Sequence, residues 1–287
     1  MIDRLALGTV QFGLDYGISN VSGQVPLSEI QQILDYCRQV GIDTLDTAYA
    51  YGQSEQRLGE AGVAGFRIVS KIPASCTSIG DARRTLDESL RRLGTTDLYG
   101  LLYHDYNTYS GAHLDWEELL SLQQEYSIER VGFSFYHPHQ WQELRERDIY
   151  PQLVQLPYNL FDRRFAPLFA TAAEENTEIH VRSAFLQGLF FRDPDTLPPH
   201  FAPVADRLRS LRAVANDDAA TIAALCLHFV LADDRIDRVV IGTESKSQLE
   251  ANVTAIGDTD TIPAIPDELL AELAIDDLSI LNPSRWK

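Results

Sequence analysis

The sequence predicts a closed (β/α)8 barrel formed by a single domain, residues 1–287. Eight short β-type runs alternate with segments of helical periodicity, which implies parallel strands joined by right-handed crossovers. Eight such units can close a barrel, and the chain length suits a fold that typically needs roughly 250 residues. The competing open, doubly wound sheet would show Gly-x-Gly-x-x-Gly after an early strand. Gly8-Thr-Val-Gln-Phe-Gly13 is not that motif.

Strands are expected at 5–11, 42–47, 67–72, 98–104, 130–135, 153–156, 178–184 and 238–242. Ser28 can cap a helix whose Ile30, Ile33, Leu34, Cys37 and Val40 share one face, and Gly41 stops it. Ser78 or Asp81 opens another, with Leu86, Leu90 and Leu93 as its stripe and Gly94 as its stop. Further helices are expected at 116–125, 139–147, 164–175, 218–232 and 247–256. Two irregular stretches, 12–26 and 191–204, follow the first and seventh strands. Both lie after carboxyl ends, where barrel sites are built, so they are candidate rims of a substrate pocket or plain surface loops.

Composition narrows the functions open to the chain. A formal charge of −18 opposes attraction to nucleic acid or anionic lipid. No apolar run is long enough to span a bilayer and no signal core follows Met1, so a cytoplasmic location is expected. Cys37, Cys76 and Cys226 are odd in number and scattered, which reads as reduced thiols. Lysine occurs only at Lys71, Lys246 and Lys287, so each one invites a question.

Ionisable chemistry gathers at the ends of strands two to four. Asp46-Thr-Ala-Tyr-Ala-Tyr51-Gly-Gln-Ser-Glu55 carries a carboxylate and two phenols, Lys71 closes the third strand, and His104 closes the fourth. Adjacent strand ends in a barrel let those side chains converge. Each alone has a plainer reading as turn, packing or structural residue, although a lysine at the end of an apolar strand is rarely buried unpaired. Tyr49 is a rival to Tyr51.

The run Asp-Thr-Ala-x-x-Tyr-Gly-x-Ser-Glu, followed in order by Lys71 and His104, resembles the signature and tetrad of the aldo-keto reductases, NADP-dependent carbonyl reductases built on a (β/α)8 barrel. The resemblance spans about 5–257 and selects Tyr51 by its spacing. It implies reduction of an aldehyde or ketone, a small-molecule carbonyl or alcohol substrate, and catalytic roles for Asp46, Tyr51, Lys71 and His104. Tyrosine, with a pKa near ~10, is a poor proton donor until tuned. Lys71, held by Asp46, is expected to lower it, while His104 positions the carbonyl oxygen. Many family members plug the barrel floor with an N-terminal β-hairpin, and this chain is expected to lack one.

For the cofactor, the resemblance assigns Gly8 and Thr9 in the first strand, Asp46, and the carboxamide partners Ser134 and Gln155. It adds Arg182, Ser183, Phe185, Leu186 and Gly188 from 181–189, and Gly242, Thr243, Ser245, Gln248 and Asn252 from the eighth unit. Phe135 replaces an asparagine usual in the family. Arg182 stands where many members stack an aromatic ring on nicotinamide, and its planar guanidinium can also stack. The loop and helix start after strand eight form a ready anion site. Members that clamp the 2′-phosphate carry Lys and Arg where this chain has Gly242 and Gln248. Lys246 or Arg238 could substitute, so NADP(H) is preferred and NAD(H) stays open.

Three rival readings remain. A Schiff-base aldolase would use Lys71 and leave Tyr51 without a role. A metal-dependent hydrolase has only His137 and His139 as a close pair, with no carboxylate-rich set. A nucleotide-binding sensor of slow turnover, like the potassium-channel β subunits of the family, would keep both barrel and cofactor.

Overall fold

In the computed structural model, eight parallel strands close into a barrel in sequence order: β1 (Leu5–Gly8), β2 (Thr44–Asp46), β3 (Arg67–Ile72), β4 (Asp97–Tyr103), β5 (Ser127–Ser134), β6 (Leu153–Pro157), β7 (Glu178–Arg182) and β8 (Arg238–Gly242). The structure describes all residues except 19, 21–22, 107–108, 110–113, 258–261 and 287. Gly8 pairs with both Asp46 and Gly242, which closes β1 between β2 and β8. Ser134 pairs with Gln155 across β5 and β6. The register therefore sets the carboxyl ends of all the strands at one mouth.

Helices pack outside this barrel through apolar stripes at helical spacing. On helix Leu27–Val40, Ile30, Ile33, Leu34 and Cys37 are buried. Ile79–Leu93 buries Ala82, Leu86, Ser89 and Leu93. Gly41 and Gly94 end these two helices in the left-handed conformation, with φ of 82° and 67°. Ser78 is the cap of the second, accepting from the Asp81 amide at 3.1 Å. Ser28, by contrast, lies inside its helix. Pro26 precedes Leu27 with φ −64° and no side-chain cap bond, because proline presets the entry backbone without a hydroxyl.

Helices Ser54–Ala61, Ala205–Val214 and Asp267–Leu273 were not expected from the sequence. The expected first strand stops at Gly8, and Val10–Gly13 is a single helical turn that folds over the mouth. The seventh strand stops at Arg182, where Ser183 takes φ +65° and leaves the sheet. The rim stretch 191–204 includes a 3₁₀ segment, Pro199–Val204. No single helix among the described residues is long and apolar enough to cross a membrane.

The opposite, amino end of the barrel is closed by a charged and aromatic lattice. Tyr99 donates to Glu178, whose carboxylate also meets Arg130 at 2.8 Å and His180 at 2.7 Å. The Arg67 guanidinium lies 4.7 Å from the Tyr99 ring centre and pairs with Asp43 at 2.9 Å. Stacking and charge pairing fill this end, although Arg67 Nε and His180 Nδ1 are buried without a hydrogen-bond partner.

Candidate active site

Asp46 ends β2, Lys71 sits one residue before the end of β3, and His104 follows β4 directly. Lys71 is buried, and its ammonium donates to both Asp46 oxygens at 2.7 and 2.8 Å and to the Thr47 carbonyl at 2.9 Å. Those contacts use all three of its N–H groups. A Schiff base would require Nζ to reach a substrate carbonyl instead, so the aldolase reading loses its nucleophile. Gln155 donates to Asp46 at 2.7 Å, which ties β6 into the same buried cluster.

Tyr51 stands above this pair, its ring centre 5.3 Å from Lys71 Nζ and 5.4 Å from the His104 ring in an edge-to-face arrangement. The loop that carries it is pinned from below: Ser54 Oγ donates to the Thr9 carbonyl at 2.9 Å, and Thr9 Oγ1 donates to the Asp46 carbonyl at 2.9 Å. Gly13 presses on the same loop so closely that a Cβ there would lie 1.7 Å from the Tyr51 carbonyl oxygen. Only glycine lets the turn after β1 pack against the loop that holds the phenol. Tyr49 points elsewhere, donating to Glu88 at 2.8 Å beneath Arg92.

Burial raises the pKa of the Tyr51 phenol, with Asp46 adding to the rise and Arg182 opposing it. This corrects the expectation that Lys71 lowers it. The Lys71 charge is matched at contact by Asp46, so little of its field is left for the phenol, and Tyr51 keeps its proton at neutral pH. Lys71 itself is pushed down by burial against the pull of Asp46. His104 is pushed down to about 3 by burial, Lys71 and Arg182, and is a neutral imidazole in the folded protein.

That shift has a sign that can be tested. Between about pH 3 and 6.5 the unfolded chain binds a proton at residue 104 that the folded one refuses. This contribution to stability is whole above pH 6.5 and is lost as pH falls toward 3, at ~1.4 kcal/mol per unit at most. Urea titrations at pH 7 and pH 4 should show His104→Gln losing less stability on acidification than the wild type, by about 1 kcal/mol or more. Equal losses would place the His104 titration at its ordinary value.

A cavity of about 650 Å³ opens at this mouth and runs from His104 and Tyr51 to the loop and helix after β8. Of the residues assigned from sequence to the cofactor, Gly8, Thr9, Asp46, Ser134, Gln155, Arg182, Ser183, Phe185, Gly188, Gly242, Thr243, Gln248 and Asn252 line it. Leu186 and Ser245 do not. Leu186 is buried in the apolar cluster beneath helices Ala205–Val214 and Ala219–Leu231, and Ser245 Oγ accepts from the Gln248 amide at 3.2 Å. Phe135 turns outward and stacks on Phe133 and Trp141, so it contributes only its carbonyl, which accepts from Arg182 at 3.1 Å. The Arg182 guanidinium lies 4.4 Å from the centre of the Tyr136 ring.

Neither cation considered for a 2′-phosphate faces the cavity. Arg238 opens β8 at the amino end of the barrel, 3.9 Å from Asp43. Lys246 pairs with Glu250 at 3.0 Å near the Tyr36 ring.

Sequence reasoning did not single out Gln11, Tyr136, Gln187 or Glu244, all of which line the cavity, whereas Tyr16 and Phe191 line it from the two stretches expected as candidate rims, 12–26 and 191–204. Tyr16 carried the signal of a loop after a strand's carboxyl end, whereas Gln11 was read as the last residue of the strand itself. The Gln11 carboxamide packs on Gly242, where a Cβ would lie 2.6 Å from Nε2, and its Oε1 is buried with no hydrogen-bond partner. A buried acceptor of this kind at a cavity wall can take a donor from water or from a bound molecule.

A parallel barrel with its ionisable groups at the carboxyl mouth defines an enzyme-like class, and sequence comparison gives it a family. Residues 4–265 match the profile of the aldo/keto reductase family, and the chain belongs to it. Its relatives include L-galactose dehydrogenase of Arabidopsis thaliana, 24% identical over 304 residues that cover 97% of this chain and 92% of that protein. A structure from Pseudomonas aeruginosa assigned to the aldo-keto reductases is 26% identical, covers 88% of each chain and superposes with a TM-score of 0.66. An aldo-keto reductase from Bacillus halodurans in its holo form covers 99% of this chain and 95% of its own at 23% identity, with a TM-score of 0.73, and shares the fold.

Proposed function

We propose that the chain is a nicotinamide-dinucleotide-dependent reductase of aldehydes or ketones, with Tyr51 as the proton donor. The observation that carries this reading is a protonated phenol and a neutral imidazole facing one cavity above a buried Asp46–Lys71 pair. Reduction of a carbonyl leaves an oxygen that must receive a proton. Tyr51 holds one at neutral pH, and His104, uncharged, can donate a hydrogen bond to the same oxygen and orient it. Asp46 and Lys71 fix the loop geometry beneath the phenol. In the reverse direction Tyr51 would accept the alcohol proton.

The cavity fits a dinucleotide on grounds internal to the site. The orphaned Gln11 acceptor, the bare backbone of Gly8 and Gly242, and the polar groups of Ser134, Gln155 and Asn252 line one continuous cleft. Bound there, the nicotinamide supplies hydride. Ser134 and Gln155 would hold its carboxamide, and Arg182 would pack against its ring. For Gln155 this means sharing or leaving its bond to Asp46.

The test is turnover: oxidation of NADH and NADPH by purified protein against aldehydes, ketones and aldoses. Because the Arabidopsis relative is an L-galactose dehydrogenase, L-galactose, followed in the oxidative direction, comes first on the panel. Turnover with any of these is the expected result. Tight dinucleotide binding without turnover across the panel would favour the sensor reading, and binding of neither dinucleotide would remove the proposal.

A further inference from the structure

If hydride is delivered beside Tyr51 and His104, the rest of a bound dinucleotide must extend along the cleft toward β8, so its adenosine ribose lies among residues 242–252. The charge found there is negative. Glu244, in the loop between β8 and helix Lys246–Gly257, lines the cleft, and its backbone amide donates to Gln248 Oε1 at 2.8 Å, which fixes the loop. Thr243 Oγ1 bonds the Ser245 carbonyl at 2.8 Å and tightens the same turn. Asp15, from the stretch after β1, acts on Glu244 as a second negative charge, and together with burial it holds the Glu244 carboxyl above the usual range.

The helix start offers little to an anion. The Lys246 amide already donates to Glu29 at 2.7 Å, and the Gln248 amide donates to Ser245 Oγ at 3.2 Å. Among the described residues the only Lys or Arg lining the cleft is Arg182, at the Tyr51 end. A phosphate monoester carries about −1.5 to −2 charge at neutral pH. At this end of the cleft it would meet one carboxylate in the wall, a second close by, and no cation.

We propose that Glu244 is a specificity-determining residue that selects the dinucleotide without a 2′-phosphate, NAD(H), by accepting a hydrogen bond from the ribose 2′-hydroxyl and repelling the phosphate that replaces it in NADP(H). The inference rests on the reductase reading and reverses the cofactor preference drawn from sequence. A carboxylate for the ribose hydroxyl against a cation for the phosphate is the same choice that other dinucleotide folds make. Gln248 positions Glu244 and adds no charge.

The experiment measures dissociation constants for NADH and NADPH by quenching of intrinsic fluorescence, for the wild type, Glu244→Gln and Glu244→Lys. The wild type should bind NADH at least about tenfold more tightly than NADPH, as expected when like charges are opposed at a partly buried site. Glu244→Gln should collapse the ratio to within about threefold, chiefly by tightening NADPH, and Glu244→Lys should invert it. Wild-type protein that binds NADPH as tightly as NADH, or a ratio that neither substitution moves, overturns the role of Glu244 while leaving the reductase reading intact. Binding of neither dinucleotide removes both.

Discussion

Tyr51→Phe is expected to lower the rate of carbonyl reduction by roughly 10²–10⁴-fold, the range that positioned proton transfer contributes. The substitution deletes one hydroxyl and keeps the ring that meets His104 at 5.4 Å and Lys71 Nζ at 5.3 Å, so the loop keeps its supports. Dinucleotide affinity should stay within about twofold, because the phenol's proposed role is toward the carbonyl oxygen and uniform binding does not depend on it. Single-turnover rates and fluorescence titration separate the two. A variant with wild-type turnover would exclude Tyr51 as the proton donor. A parallel loss of affinity would show that the hydroxyl seats the cofactor instead.

Lys71→Met produces the second large effect, on stability as well as on rate. It leaves the Asp46 carboxylate buried, with only Gln155 as a side-chain donor, and breaking one half of a buried pair costs about 3–5 kcal/mol. Turnover should fall at least ~10²-fold, since the floor beneath Tyr51 is disturbed. Asp46→Asn combined with Lys71→Met removes the stranded charge, and urea unfolding should show the double variant about 2 kcal/mol more stable than the single one. Activity should not return with it. If Lys71→Met unfolds within about 1 kcal/mol of the wild type, the carboxylate has found water or a proton and the pair does not hold the site.

The two substitutions probe different ranges of sequence. Tyr51 is placed by a short local pattern: a β-type run ending near Asp46, followed by a loop that carries the two phenols. Patterns of that range are legible because strand alternation and turn chemistry act over a few residues. The same holds for Lys71 and His104, each at the end of an apolar run. Their convergence followed once eight βα units implied a closed barrel. Element ends were read less well: the first strand was expected to run through Gln11 but stops at Gly8, and Val10–Gly13 forms a helical turn packed against the Tyr51 loop. Ser28 looked like a cap because its residue type fits, but the chain enters that helix through Pro26.

What the sequence determined by itself is the alternation that makes the barrel, and with it the order in which Asp46, Tyr51, Lys71 and His104 reach its mouth. Motif spacing chose Tyr51 over Tyr49, and the tertiary structure gives that choice its physical ground: Tyr51 lines the cavity while Tyr49 donates to Glu88. Only the tertiary structure decided that Gln155 bonds Asp46 from 109 residues away and that Glu29 reaches the Lys246 amide from 217 residues away. It moved Arg238 to the far end of the barrel and brought Glu244 to the cleft. The physical reason is range. Periodicity and turn chemistry are local and are written in consecutive residues, whereas the charge at a binding site is a sum over groups that meet only when the barrel closes.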